Sequence, residues 1–204
     1  MKVAGVILAG GLSRRMGGGD KSLRFLGGRP VLAHVIERFA PQVEALALNA
    51  NGDPSRFAPF GLPTVSDSVD GFPGPLAGVL AGMDWAATAL PGATHVATLP
   101  ADGPFAPLDL VARLAAALEG ETDVAYASSA GQRQPVCALW PIALAEPLRE
   151  TIAGGEMVEV WRFAARYPLH VIEFSTEPFD PFFNTNRPED LAEAERLLSA
   201  EHLS

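Results

Sequence analysis

Two glycine clusters flank a pair of arginines between Leu8 and Lys21, directly after an apolar segment at the start of the chain. The stretch reads L-A-G-G-L-S-R-R-M-G-G-G-D-K. Glycines such as Gly10 and Gly11 let backbone N–H groups approach a phosphate without interference from a Cβ atom. Arg15 and Lys21 add cationic donors that suit phosphate oxygens. The spacing therefore favours a phosphate-binding loop over a turn that is merely flexible and basic.

Two common phosphate-binding motifs do not fit this loop. In a Walker A loop the Lys-Ser pair directly follows a glycine, but here Asp20 separates Gly19 from Lys21. No set of glycines in the stretch has the G-x-G-x-x-G spacing of a dinucleotide-binding fingerprint. The P-loop ATPase and dehydrogenase interpretations are therefore excluded.

The charge distribution also points to a local anion site. The 204 residues carry a net charge of −9, yet residues 1–40 sum to +5 and residues 41–204 to −14. A solvated basic surface patch is the alternative, but this stretch is also rich in glycine. Nucleic acid is not expected as a partner, because a compact basic patch on an acidic body offers no long basic face.

Four polar residues follow predicted strands or precede a predicted helix, and each has an ordinary structural explanation. Asn49 suits a turn, Asp67 suits a loop or a helix cap, and Asn186 suits a helix N-cap. Asp102 is a common type of turn residue, although Pro100 and Pro104 fix the backbone around it. The residue types alone leave these explanations open.

Hydrophobic periodicity predicts alternating strands and helices through the first two-thirds of the chain. Strands are expected at 2–8, 43–48, 63–66, 94–99, 124–127, 136–140 and 169–174, and helices at 30–39, 74–87, 107–118, 141–153, 156–166 and from 188 onward. This alternation predicts an α/β fold: a three-layer Rossmann-like domain with a mostly parallel, mixed central sheet. No linker or repeat divides residues 1–204, so one domain is expected. In such sheets ligands bind beyond the carboxyl ends of the strands.

Other chemistries lack support in the sequence. The single cysteine, Cys137, lies in an apolar run and is expected in the core. The four histidines have no metal-ligand spacing, and no G-x-S-x-G nucleophile motif is present. No apolar run approaches the ~20 residues that span a bilayer. Because Arg14-Arg15 follow the first apolar segment rather than precede it, an export signal is not expected, and a cytoplasmic location is.

The loop resembles the signature of the molybdenum cofactor guanylyltransferase family, within the nucleotidyltransferases of the sugar-nucleotide pyrophosphorylase fold. Further matches are N-A-N at 49–51, G-P-L-A-G at 74–78, P-A-D-G-P-F at 100–105 and F-N-T-N-R-P-E-D-L at 183–191. Arg187 stands where the family usually has Thr. Gly10 stands where the related cytidylyltransferases have alanine, which favours guanine as the base.

The resemblance implies the site residues. Nucleotide contacts are expected at Leu8, Ala9, Gly10, Gly11, Lys21, Asn49, Asp67 and Asp102. Asp102 is expected to bind Mg²⁺, and Arg15 and Lys21 to hold the triphosphate. Asn184 and Asn186 are expected near the metal or the acceptor, with no basis for choosing between them. Arg133 and Gln134, just before a predicted strand, either face the acceptor or lie in an exposed loop.

The resemblance further implies transfer of GMP from GTP to the terminal phosphate of molybdopterin, with release of pyrophosphate. It implies no membrane partner, and transient contact with cofactor-biosynthesis proteins or molybdoenzymes. Two alternatives remain open. One is a related nucleotidyltransferase that uses CTP or another phosphorylated acceptor, and the other is a non-catalytic module that binds the nucleotide or cofactor.

Overall fold

Nine strands form the β-structure of the computed structural model, which describes residues 1–9, 20–69, 74–155 and 158–201. Seven of the strands build one central sheet, and two short ones form a separate hairpin. The strands are β1 (Val3–Leu8), β2 (Phe25–Leu26), β3 (Arg29–Pro30), β4 (Ala45–Asn49), β5 (Thr64–Val65), β6 (His95–Pro100), β7 (Val124–Ser129), β8 (Gln132–Pro141) and β9 (Leu169–Phe174).

Helices cover both faces of the sheet, as the alternating pattern predicts. They are α1 (Val31–Phe39), α2 (Pro75–Ala89), α3 (Leu110–Ala116), α4 (Ala145–Ala153), α5 (Val160–Ala164) and α6 (Pro188–Glu201). None of the helices in the described ranges is both long and apolar enough to cross a membrane.

The sheet order is β5-β4-β1-β6-β8-β7-β9. Strands β4, β1 and β6 pair in parallel, and β7 pairs in parallel with β9, whereas β8 is antiparallel to both of its neighbours. The predicted α/β fold with a mostly parallel, mixed sheet is therefore confirmed. The assignment of residues 1–204 to one domain stays a prediction.

Alternation of side chains along the strands divides the core into two layers. Ile7 and Leu139 pack with α1, α3 and α6 on one face, and Val6 and Trp140 pack with α2, α4 and α5 on the other. Because successive residues of a strand point to opposite faces, a strand that is apolar throughout is buried on both sides. β1 follows this rule, and β6 is likewise buried on both sides although it includes His95 and Thr98.

Three local expectations were wrong. Within the described residues, the helix expected at 156–166 spans only Val160–Ala164. The helix predicted at 107–118 is shorter, since residues 107–109 form a turn ahead of α3. Arg133 and Gln134 lie inside β8 rather than before a strand, because β8 continues through an irregular register opposite Tyr126 and Ala127 into a hairpin with β7. The β2–β3 hairpin was not predicted. It turns at Gly27 and Gly28, whose φ values of +57° and +80° suit glycine in a two-residue turn.

Candidate active site

The carboxyl ends of three neighbouring strands lie at the same level on one edge of the sheet. Leu8 pairs with Asn49 of β4 on one side and with Pro100 of β6 on the other. The backbone continues this pairing just past the strands, as Ala9 N–H donates to the Asn49 carbonyl at 2.8 Å and Ala101 N–H to the Leu8 carbonyl at 3.1 Å. The parallel register thus brings Leu8, Ala9 and Asn49 together with the segment that leads to Asp102.

Two asparagines hold the carboxylate of Asp67 from both sides. Asn49 Nδ2 donates to Asp67 Oδ1 at 2.9 Å, and Asn51 Nδ2 donates to Asp67 Oδ2 at 2.7 Å. Asn51 Oδ1 also accepts from the Asp67 backbone N–H at 3.0 Å. Asn49 ends β4 instead of forming a turn, and Asp67 lies in a loop, as one of its two ordinary roles predicts, but not at a helix cap. We name Asn49, Asn51 and Asp67 the Asn–Asp cradle.

A glycine of α2 leaves room for this cradle. A Cβ atom on Gly78 would overlap Asn49 Oδ1 and would lie 2.9 Å from Leu8 Cδ2. Asn49 is 3% exposed, so it has no other space to occupy. The G-P-L-A-G stretch therefore has a steric role, which is close approach of a helix to the end of β4.

Asp102 lies in the loop after β6, and the segment around Asn184 is docked onto it. Thr185 donates to the Asp102 carbonyl through its backbone N–H at 2.9 Å and through its hydroxyl at 3.1 Å. Asn184 Oδ1 packs against Gly103, where a Cβ atom would lie only 3.2 Å away. This oxygen is buried and has no hydrogen-bond partner.

Burial raises the pKa of the Asp102 carboxyl above its ordinary value, and the nearby positive charge of Lys21 partly opposes that rise. An ionised carboxylate in this position is therefore short of compensating positive charge. A buried carboxylate of that kind and an unpartnered amide oxygen packed on the next residue of the loop make a donor set that a hard cation would satisfy.

Lys21 reaches the same region from the far end of the glycine-rich stretch. Its Nζ donates to Asn186 Oδ1 at 2.9 Å. The expected N-cap role of Asn186 is wrong, because α6 begins at Pro188 and the Asn186 oxygen accepts from Lys21 instead. The structure thus separates the two asparagines: Asn184 lies against the Asp102 loop, and Asn186 contacts the lysine.

Sequence reasoning missed Arg56, which connects the segment before Lys21 to the segment that carries the Asn–Asp cradle. Its guanidinium pairs with Asp20 at 2.5 Å and donates to the carbonyls of Asn51 at 2.7 Å and Asp53 at 2.5 Å. Arg56 therefore ties the residue before Lys21 to the turn that carries the cradle. Local sequence spacing does not predict these contacts of Arg56, because Asp20 follows β1 whereas Asn51 follows β4.

Three expected site residues, Gly10, Gly11 and Arg15, lie outside the described residues. Cys137 is buried, and burial raises the pKa of its thiol well above the ordinary value. This agrees with a core role rather than a nucleophilic one. Within the described ranges, no group of three or more His, Cys, Asp or Glu residues forms a metal cluster.

Comparison with known proteins gives consistent matches. A family model described as the MobA-like NTP transferase domain matches residues 5–169. A molybdenum cofactor guanylyltransferase of Rhodopseudomonas palustris (strain BisB5) is 58% identical over 193 residues, which cover 94% of this chain and 92% of the relative. An enzyme of the same name from Bradyrhizobium sp. (strain ORS 278) is 56% identical, with 98% of this chain and 94% of the relative covered.

Solved structures share the fold at low sequence identity. The molybdopterin-guanine dinucleotide biosynthesis protein A of Archaeoglobus fulgidus has a TM-score of 0.69 at 22% identity, covering 98% of this chain and 100% of that chain. A Mycobacterium tuberculosis protein solved as a complex with manganese has a TM-score of 0.64 at 16% identity, covering 96% and 99% of the two chains.

The sheet, the site at its carboxyl edge and the family model define an enzyme of the nucleotidyltransferase class with a MobA-like fold. The relatives narrow this class, because they match at more than half of all positions over nearly the full length of both chains. The chain belongs to the molybdenum cofactor guanylyltransferase family.

Proposed function

We propose that this protein transfers GMP from GTP to the terminal phosphate of molybdopterin in a Mg²⁺-dependent reaction that releases pyrophosphate. The observation that carries the proposal is the meeting, at one sheet edge, of the Asn–Asp cradle with the cluster of Lys21, Asp102 and Asn186. One group has the acceptors that a nucleoside needs, and the other has the charges that a triphosphate and its metal need. We propose the cytoplasm as the location.

The cradle supports guanine as the base. Each carboxylate oxygen of Asp67 accepts one asparagine N–H and keeps a further lone pair. Guanine presents two adjacent donors, N1–H and N2–H, which match a carboxylate with free lone pairs. Cytosine presents only its N4 amino donor beside acceptor groups, so the carboxylate would face an acceptor as well.

The residues around Asp102 fit a divalent cation. Mg²⁺ is bound by one or two carboxylates together with waters and substrate phosphates, so a single aspartate suffices. Asp102 and the unpartnered Asn184 oxygen would hold it, and the ammonium group of Lys21 keeps donors for phosphate besides the one that it gives to Asn186. When bound, the ion supplies charge neutralisation at the phosphates and at the leaving group.

The chain's own residues position the substrates. The acceptor phosphate is already an anion, so no side chain has to remove a proton from it. The difficulty is bringing two polyanions together, which requires orientation and positive charge. Leu8, Ala9, Asn49 and Asp67 orient the nucleoside, while Arg15 and Lys21 hold the triphosphate. Asn186 orients the Lys21 ammonium group through their hydrogen bond.

Incubation of the protein with GTP, MgCl₂ and molybdopterin tests this function directly. The expected products are pyrophosphate and a guanine dinucleotide, in equal amounts. Replacing GTP by CTP is expected to give little product. Turnover with CTP instead of GTP would refute the base assignment, and binding of both substrates without pyrophosphate release would indicate the non-catalytic alternative.

Gly78→Ala is expected to weaken GTP binding about tenfold, the effect of losing one hydrogen bond to a charged group. The added methyl group displaces Asn49, so the Asp67 carboxylate loses one of its two asparagine hydrogen-bond donors. Isothermal titration with GTP measures the change. Gly82→Ala is the matched control on the same helix, because its Cβ meets Val6 of the core at 2.7 Å and not the cradle.

Both glycine variants are expected to lose stability by overpacking, of the order of 1–3 kcal/mol before the gain in helix propensity. Only Gly78→Ala is expected to lose GTP affinity as well. Equal GTP affinities in the two variants would show that Asn49 does not act through the cradle.

A further inference from the structure

The start of β8 borders the Asp102 site on the side away from the Asn–Asp cradle. Because β8 is antiparallel to β6, its first residues lie at the edge where β1, β4 and β6 end. Gln134 lines a small pocket together with Pro100, Gly103 and Asn184. The β7–β8 hairpin is therefore the neighbour of the expected metal donors.

Arg133, next to Gln134, points to the other face of the sheet and lies over the ring of Trp161 in α5. Its guanidinium carbon is 4.8 Å from the ring centroid, and that of Arg162 is 5.2 Å from the same ring. Trp161 is itself partly buried against the core layer that contains α2 and α4. The cation is thus supported by a fixed aromatic surface at the site edge.

Arg133 contrasts with three other arginines of this acidic chain, each of which has an acid beside it. Arg149 pairs with Asp84, Arg56 with Asp20 and Arg162 with Glu159. Among the residues that the structure describes, no carboxylate lies within ion-pair distance of Arg133. An exposed guanidinium that is held in place but not neutralised is available for an anion.

We propose that Arg133, supported by Trp161, binds an anionic group of the acceptor, so that Arg133 and Trp161 form the acceptor subsite. The proposal rests on the proposed function. Along the edge, Asp102, in the loop after β6, lies between the Lys21 loop after β1 and the start of β8. An in-line displacement needs the incoming nucleophile opposite the leaving group. With pyrophosphate leaving toward Lys21, the acceptor phosphate approaches from the Arg133 side.

The test compares Arg133→Gln with Arg196→Gln, a control that removes another exposed charge, which is paired with Glu193 on α6. Steady-state kinetics of GMP transfer are measured with GTP and molybdopterin varied separately. Arg133→Gln is expected to raise the molybdopterin KM about tenfold or more, since a charge-assisted contact is lost. The GTP KM is expected to change less than about twofold, and Arg133→Lys to recover part of the loss. A rise in the GTP KM with an unchanged molybdopterin KM would overturn the proposal.

Direct binding of molybdopterin, by equilibrium dialysis without GTP, separates this inference from the proposed function. Normal GMP transfer with equal molybdopterin affinity in wild type and Arg133→Gln would refute the subsite and leave the function intact. Arg133-dependent binding without any GMP transfer would support the subsite and refute the function. Failure of the wild type to bind molybdopterin would refute both. Trp161→Leu is expected to mimic Arg133→Gln, because it removes the support but not the charge.

Discussion

Asp102→Asn is expected to lower kcat for GMP transfer about 10³-fold or more, which corresponds to the several kcal/mol that a metal ion contributes to charge stabilisation. The variant keeps the shape of the side chain but removes the charge that would hold the cation. Binding of GTP in the presence of EDTA is expected to stay within about twofold of wild type, because the Asn–Asp cradle is untouched. Transfer assays and titrations with and without MgCl₂ measure both effects.

Thermal unfolding separates this loss of activity from a loss of structure. Burial raises the pKa of Asp102 in the folded state, so above that pKa the ionised carboxylate disfavours folding. Asp102→Asn removes this charge and is expected to raise Tm near neutral pH. Asp109→Asn, at an exposed position a short distance along the same loop, is the matched control and is expected to change neither Tm nor kcat appreciably. Full transfer activity in Asp102→Asn would show that Asp102 only shapes the turn.

The fold was predictable because its central strands, such as β1 and β6, are buried on both faces. An apolar run that ends in a glycine or in a Pro-x-Asp turn marks both a strand and its carboxyl end, as at Leu8 and Pro100. The 2-residue strands around Gly27 and Gly28 are too short to show any periodicity, and the hairpin was missed for that reason. The start of β8 was missed because Pro135 interrupts the strand pattern at the irregular register.

For the site, the sequence predicted only which residues lie at the carboxyl edge of the sheet, not which of them are in contact. Asn49, Asp67 and Asp102 follow strands, so a parallel sheet places them on one side. Which of them touch depends on strand order and register, which local spacing does not encode. The asparagine pair illustrates this: the sequence could not distinguish Asn184 from Asn186, and only tertiary packing places one against Gly103 and the other on Lys21.

Lys21→Ala is expected to reduce kcat/KM for GTP about 10²–10³-fold, the usual effect of removing one preorganised donor from developing negative charge. The substitution also takes away the positive charge that lowers the pKa of Asp102, so ionised Asp102 becomes less favourable. We therefore expect the Mg²⁺ concentration for half-maximal rate to shift. Kinetics at several MgCl₂ concentrations measure both changes.

Lys2→Ala is the matched lysine control, because Lys2 Nζ donates to the Pro91 carbonyl at 2.8 Å, near the opposite end of β1. Asn186→Ala keeps the Lys21 charge but removes its oxygen partner, so a smaller loss of about tenfold is expected. The expected kcat/KM for GTP is lowest in Lys21→Ala, higher in Asn186→Ala and highest in Lys2→Ala. This order distinguishes a phosphate contact of Lys21 from a structural bridge between Lys21 and Asn186. A bridge alone would make Lys21→Ala and Asn186→Ala equal, because either substitution breaks the same hydrogen bond. Unchanged GTP affinity in Lys21→Ala would place the triphosphate elsewhere.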